Sequence, residues 1–578
     1  ITGLPKISNL LIRLSIISNS GQEVWAIDNV TLYGRRELTS TWNGTTWSDG
    51  TPTSSVKAII GENYETITDG NLTACKCQIA TGKIVTIGTN SSAVIESNID
   101  NGGSIIIENS GSLVQRNDFA INSGNNINVK RTTTDMIEYD YTYWSSPVGG
   151  QTLYNLSPQT SADRFYAFSP TLGNWVPTVR TSVMSRGKGY IVRAPDSYGN
   201  TPTAYNAEFI GSINNGFIQT PIINSVSEWN LIGNPYPSAI DADAFLDLAA
   251  NTTVIGGTIY LWTHNTPISA SSNYTANDYA VYNKFGGVGT RAALNPGINN
   301  TYPLGKIASG QGFFVRALAN GDATFINSMR IATDNATFYR TNQNQNTVES
   351  NQGLEKHRLW LNLTNTQGAF KQTLVGYVQN GTNDIDRDFD GTTISAGNII
   401  NFYSICNNQN LSIQGRMLPF SEEDVILLGY SSNLAGTFTI TLENYDGLFE
   451  NYESIFLEDK LLNSIHNIKS SPYTFTTSTG IHNNRFSIRY NNQSLGNSDF
   501  DNANQVIITT NDLVVDVYSN KESIEQIEVF DMLGRKILFK KDINALNYKI
   551  ENMTTNQTLI VKIKLQNGIY VTKKVIVN

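Results

Sequence analysis

Four aspartates, Asp384, Asp386, Asp388 and Asp390, alternate with other residues and run into Gly391. Carboxylates on alternate residues ahead of a glycine open a calcium loop, because their oxygens can turn towards one cation. Counted from Asp386, however, the twelfth position is Gly397, where an EF-hand loop needs a bidentate glutamate. A structural acidic turn is therefore the first reading and a calcium site the second; no other cofactor is expected.

Other side chains offer less. His264, His357, His466 and His482 are isolated, with no partner at the spacing that aims two ligands at a zinc ion. Gly-x-Ser-x-Gly is absent, so no nucleophile elbow is read. Cys75 and Cys77 are read as neighbours on one strand face, poorly placed for a disulfide, and with Cys406 they make too few ligands for tetrahedral zinc. All three are expected to be small buried apolar residues. Asp241 and Asp243 suit a strand end or the cap of a helix starting near Ala244. No catalytic residue is assigned and no enzyme is expected in these residues.

Aromatic rings are plentiful, with 8 Trp and 27 Tyr. Most are expected in cores, but Trp175 and Tyr274 lie in turn-rich segments and are the rings best placed to stack on a sugar.

The elements that position these residues should be strands. Only 15% of the residues are charged, against about 25% in average soluble proteins. Short runs of Val, Ile, Thr, Tyr and Phe recur between Gly, Asn, Asp and Pro clusters, while 3.6-residue patterns are nearly absent. At 578 residues the chain should hold roughly four to five domains. The fold class is therefore all-β and multidomain. A net charge of −9 with no basic cluster leaves a nucleic-acid backbone without a footprint. No apolar run is long enough to span a bilayer.

Residues 1–37 read as the closing strands of a jelly-roll-like domain whose remainder lies upstream, so the natural N-terminus is expected before Ile1. Residues 38–130 carry apolar triplets, Ile84–Ile87, Val94–Ile95, Ile105–Ile107 and Leu113–Val114, at steps of about ten, the texture of a short β-solenoid. Residues 131–337 contain a duplication. Gly187-Lys188-Gly189-Tyr190-Ile191-Val192-Arg193-Ala194 matches Gly310-Gln311-Gly312-Phe313-Phe314-Val315-Arg316-Ala317. Each copy is preceded by a Trp-bearing strand entering a Pro turn, through Tyr143-Trp144-Ser145-Ser146-Pro147 or through Trp229 to Pro235, and then by a second aromatic strand, Arg164–Phe168 or Thr258–Trp262. Each Gly-x-Gly enters a strand and lacks the third glycine of a dinucleotide loop, so it should serve turn geometry or a bulge. A polar linker at 338–352 leads to an immunoglobulin-like sandwich at 353–490, and a second one at 491–498 leads to a compact β-domain at 504–578.

In that last domain, Val529-Phe530-Asp531-Met532-Leu533-Gly534-Arg535 is followed by the alternating strand Leu559–Leu565, a turn at Gly568, and a terminal strand through Lys573-Lys574-Val575-Ile576-Val577. This order resembles the type C C-terminal sorting domains of the Bacteroidetes type IX secretion system. The resemblance covers about 75 residues and extends more weakly into the preceding sandwich. It implies a secretion signal carried by Asp531, Gly534, Arg535, Gly568, Lys573 and Lys574, with an outer-membrane translocon and its shuttle protein as partners. It also implies a secreted or cell-surface location. An adhesin or stalk is the first functional expectation. Accessory and sorting modules of a polysaccharide-active enzyme or carbohydrate-binding protein with an upstream head are the second. In a third reading the duplicated region itself binds surface glycans.

Overall fold

A short strand that buries every second residue cannot shield its apolar face alone, so it must stack on neighbours of its own kind. The computed structural model describes residues 37–263, 274–290, 302–335, 353–395, 397–492, 506–511, 513–520, 522–551, 553–554, 557–568 and 570–577. About 53% of the chain is strand and about 6% helix, and the protein is all-β and multidomain. The strands expected before residue 37, His264 and the linker at 338–352 lie outside the described residues.

The first unit is a β-solenoid of about 5 turns. Its strands stack in parallel on three faces, one built on Val56–Ile60, Lys76–Ile79 and Ile99–Asn101, the second on Leu72–Ala74, Ser92–Ile95 and Ser112–Gln115, the third on Ile84–Ile87, Ser104–Ile107 and the start of Ile127–Met136. Val85 stacks under Ile105 and Leu72 under Ala93, so one turn takes about twenty residues rather than ten. The shorter step joins two faces of the same turn, because Ile99–Asn101 adds too little apolar signal to be read between them. Cys75 sits at a corner between Leu72–Ala74 and Lys76–Ile79, which belong to different faces. It does not share a strand with Cys77, and all three thiols are free. Asparagines hold the corners: the side-chain oxygens of Asn63, Asn71 and Asn109 accept the amides of Ile84, Ser92 and Thr132 one turn on, at 2.9–3.1 Å. Trp42, Trp47 and Tyr64 pack against one another over the first turn, with ring centroids 5.2–5.6 Å apart.

Strand Ile127–Met136 crosses the expected boundary at 130/131. One edge pairs in parallel with the solenoid and the other runs antiparallel to Thr203–Ile213. A single apolar cluster therefore continues from Trp42 through Trp144 and Phe165 to Phe209.

The duplication appears as two sheets of equal topology. The first runs in the order Tyr141–Trp144, Tyr190–Arg193, Phe165–Ser169, Asn174–Pro177; the second in the order Trp229–Gly233, Gly312–Ala317, Ile255–Trp262, Tyr279–Asn283, with Gly286–Val288 added. Registers agree as well: Tyr143 opposes Ile191 as Leu231 opposes Phe314, and Phe168 opposes Trp175 as Trp262 opposes Tyr279. The copies meet about an approximate two-fold axis. Trp144 bridges Gln311 while Lys188 bridges Ile232, and the Ser145 amide donates to Gly310 O at 2.7 Å while the Gly233 amide donates to Gly187 O at 2.9 Å. Here the Gly-x-Gly has its reason. Gly187 and Gly310 adopt φ of +71° and +72°, which L side chains resist. A Cβ on Gly189 would stand 2.5 Å from Leu231 Cγ, and one on Gly312 would stand 3.1 Å from the Tyr143 backbone.

Buried Arg330 locks the second copy onto the solenoid. It donates to Leu113 O at 2.7 Å, to Asn215 Oδ1 at 2.9 Å and to Asn327 Oδ1 at 3.1 Å, and its guanidinium lies 4.8 Å from the ring centroid of Tyr236.

In the expected immunoglobulin-like region, hydrogen bonding runs without a break through an eleven-stranded sheet that includes the parallel pair Phe370–Val378 and Gln409–Met417. It curls over one core from Leu359 to Tyr490, and Arg485 Nη1 reaches Thr476 O on the far end of the path at 2.9 Å. The last domain is a seven-stranded antiparallel sandwich of a three-stranded and a four-stranded sheet around Val515, Val529, Val561 and Val575. Among the described residues no helix is long and apolar enough to cross a membrane.

Candidate functional site

Each duplicated sheet buries one face in its own copy and turns the other, rich in aromatic residues, towards its twin. On the second copy the part of the outward face around Tyr260 and Phe285 is roofed by the curled sheet. Tyr260 Oη donates to Thr392 O at 2.9 Å, Trp360 Nε1 to Gly287 O at 2.8 Å and Arg358 Nη1 to Phe285 O at 3.0 Å. On the first copy the equivalent face, with Tyr141, Tyr166, Phe168 and Trp175, has no such roof among the described residues. It forms one wall of a cleft of about 560 Å³ whose other walls come from Trp229, Trp262, Tyr279, Phe314 and the segment Tyr274 to Ala276.

Ten of the sixteen described residues that line this cleft are aromatic, and none of the sixteen carries a formal charge. The rings brace one another. Tyr143 and Trp262 stack at 5.6 Å and 9°, while Trp175 meets Phe168 edge-on at 5.3 Å. On the floor the hydroxyls of Tyr143 and Tyr279 share a 2.5 Å hydrogen bond, and Trp262 Nε1 donates to Tyr141 O at 2.9 Å. Tyr274, 40% exposed, is held at the rim by its hydroxyl donating to Tyr139 O. Burial raises the Tyr274 phenol to about 12 and those of Tyr141, Tyr143 and Tyr279 higher still, so all four remain neutral groups able to donate. The indole N–H groups of Trp175 and Trp229 have no hydrogen-bond acceptor among the described residues. Trp175 and Tyr274, singled out from their turn-rich surroundings, thus share one site. The cleft's other rings sit in ordinary strand patterns, which give no sign that one face stays open.

The four aspartates do not converge. Asp384 accepts from Asn407 Nδ2 at 3.0 Å, Asp386 from the Thr382 amide at 2.6 Å, and Asp390 from the amides of Asp386 and Gly415; Asp388 pairs with Arg387 and Lys284. Among the described residues no three His, Cys, Asp or Glu side chains gather as a metal would require. The loop instead docks the curled sheet on the second copy: Arg387 donates to Ile255 O and Leu246 O, and Thr258 Oγ1 donates to Asp390 O. His357, His466 and His482 serve local contacts with Leu448 N, Ser471 O and Ser478 O. Asp241 ends strand Ala239–Asp241 and caps Ala242–Leu246, accepting from the Ala244 amide at 3.0 Å.

In the last domain Asp531 organises a tight turn. Its carboxylate accepts from Leu533 N at 3.0 Å, Arg535 N at 2.9 Å and Arg535 Nε at 2.6 Å, while Gly534 takes φ +79°. These donors hold the carboxyl below its ordinary range. Gly568, φ +86°, turns the final hairpin at the opposite end of the sheet. Lys573 opposes inward-facing Val561, and Lys574 opposes Ile560 on the outer face, so the two lysines diverge. Lys574 lies in the same cross-strand row as Phe530, next to Asp531.

A family model described as a Domain of unknown function (DUF8693) matches residues 35–490, well over half of the chain. The chain belongs to that family. The DUF8693 match takes in the solenoid, both copies and the curled sheet as one stretch, in keeping with the strand and core that cross 130/131. A second model, Domain of unknown function (DUF8694), matches residues 495–577, the separate last sandwich. No curated protein matches the chain.

Proposed function

We propose that this chain belongs to a secreted cell-surface protein, acting as a binder rather than a catalyst, with an export signal in the last domain. The cleft carries the binding half of this reading. A braced aromatic cavity can hold a ligand by shape and dispersion, and its described lining residues include no histidine, cysteine, lysine or acid. The DUF8693 region would then be an adhesin-type body.

Support for the export half comes from the order of the Asp531 turn, alternating strand, Gly hairpin and Lys573-Lys574 strand in a sandwich with its own core. Its partners would be the type IX translocon and shuttle protein. A reporter carrying an export signal and fused to residues 495–578 should leave type IX-competent bacteria and remain periplasmic in a translocon mutant. Retention in both strains would remove the sorting role.

The second reading, accessory modules of an exported polysaccharide-active enzyme, keeps the same cleft and adds catalysis upstream. Polysaccharide hydrolysis by the full-length protein, but not by residues 35–578, would favour it.

A further inference from the structure

We infer that the cleft takes a neutral oligosaccharide, with Trp175 and Trp229 as stacking platforms on opposite sides of the approximate two-fold axis. This rests on the reading that the cleft is a binding site, and it names the ligand class. Register places Tyr141 and Trp229 at equivalent positions of the two copies, and likewise Phe168 with Trp262 and Trp175 with Tyr279. The walls therefore offer ring faces from both sides to a ligand that itself repeats.

Size, charge and hydrogen bonding select the class. A space of about 560 Å³ lies within the roughly 300–1,000 Å³ that encloses small ligands, and is too small for a folded module. The sixteen described lining residues are uncharged, so an anion seated against the rings would be desolvated without a counter-ion among them, Arg164 approaching only from beside Tyr166. A lipid chain would satisfy the rings but leave the indole N–H groups of Trp175 and Trp229, and the hydroxyl of Ser227 in the wall, without partners from the ligand. A pyranose chain meets both demands, with C–H faces for the rings and hydroxyls for the donors.

The test uses the whole chain on an array of neutral glucans, mannans, xylans and galactans, followed by tryptophan-fluorescence titration with the best oligosaccharide. A proline-rich peptide is titrated in parallel, since aromatic grooves also accept extended Pro-rich segments. Trp175→Ala should weaken glycan binding about tenfold or more. Ile394→Trp, which adds bulk at a loop position in the wall without altering a strand, should do the same with an unchanged melting temperature. Peptide binding lost in both variants, with no glycan bound, would overturn the ligand class and keep the cleft as a site. Glycan binding indifferent to both variants, or no fluorescence response to any probe, would overturn the site as well.

Discussion

Tyr166 and Tyr260 hold equivalent positions in the two copies, opposite Ile191 and Phe314, yet Tyr260 donates to Thr392 O at 2.9 Å under the curled sheet while Tyr166 lines the open cleft. One sequence pattern has thus been put to two uses, a docking face and an open one. Tyr260→Phe should cost about 1 kcal/mol of stability through its lost buried bond, whereas Tyr166→Phe should cost less. Paired denaturation curves check this; equal losses would remove the asymmetry.

Closeness at the two-fold axis gives a sharper test. With Leu231 Cγ 2.5 Å and Ile232 O 2.8 Å from a Cβ on Gly189, Gly189→Ala should destabilise by about 1–3 kcal/mol. Gly50, whose added Cβ would meet nothing within 4 Å, isolates the cost of positive φ alone when replaced by Ala. The two losses, read by calorimetry, should differ in kind: Gly189→Ala should also loosen amide exchange at Gly233.

Arg330 is 1% exposed and holds three elements together. Arg330→Met keeps much of the bulk but orphans the carbonyl of Leu113, and should cost on the order of 3 kcal/mol. Proteolysis should then find the junction between solenoid and second copy first.

Asp390 supplies a pH dependence. Burial pushes its carboxyl up to about 7, against the two amide bonds that favour its charge, whereas the unfolded group titrates near about 4. Between those values the folded state retains the proton and the unfolded state loses it, so stability falls as pH rises from about 4 to about 7 and stays reduced above. Asp390→Asn has no such titration. The stability of the wild type relative to the variant should therefore decline across that window, by on the order of 2–4 kcal/mol; a constant or rising difference would contradict the shift.

Asp531 should behave in the opposite sense. Its carboxyl is held low by Arg535 and Leu533, so the turn is supported above the unfolded carboxylate pKa and loses that support as pH falls through the folded one. Asp531→Ala should flatten this acid loss, and in the secretion assay it should lower export more than Arg535→Lys. Equal export by both variants would separate the turn from sorting.

Alternation, turn residues and the repeated Gly-x-Gly strand carried the all-β class, the solenoid and the duplication, because burying alternate side chains and turning at glycine are local demands. Trp175 and Tyr274 were legible as rings in turn-rich segments, although Trp175 belongs to the edge strand Asn174–Pro177. Three things were decided only in three dimensions. The solenoid turn is twice the step read from its triplets, since the intervening strand Ile99–Asn101 is nearly silent in composition. Strand Ile127–Met136 joins the solenoid to the first copy, since pairing on both edges is invisible along one strand. The four aspartates spread to different partners, since a carboxylate's direction depends on which amides reach it. The cleft belongs to this second class: Tyr166 and Tyr260 look alike in sequence, and only the placement of the curled sheet covers Tyr260 while Tyr166 lines the cleft.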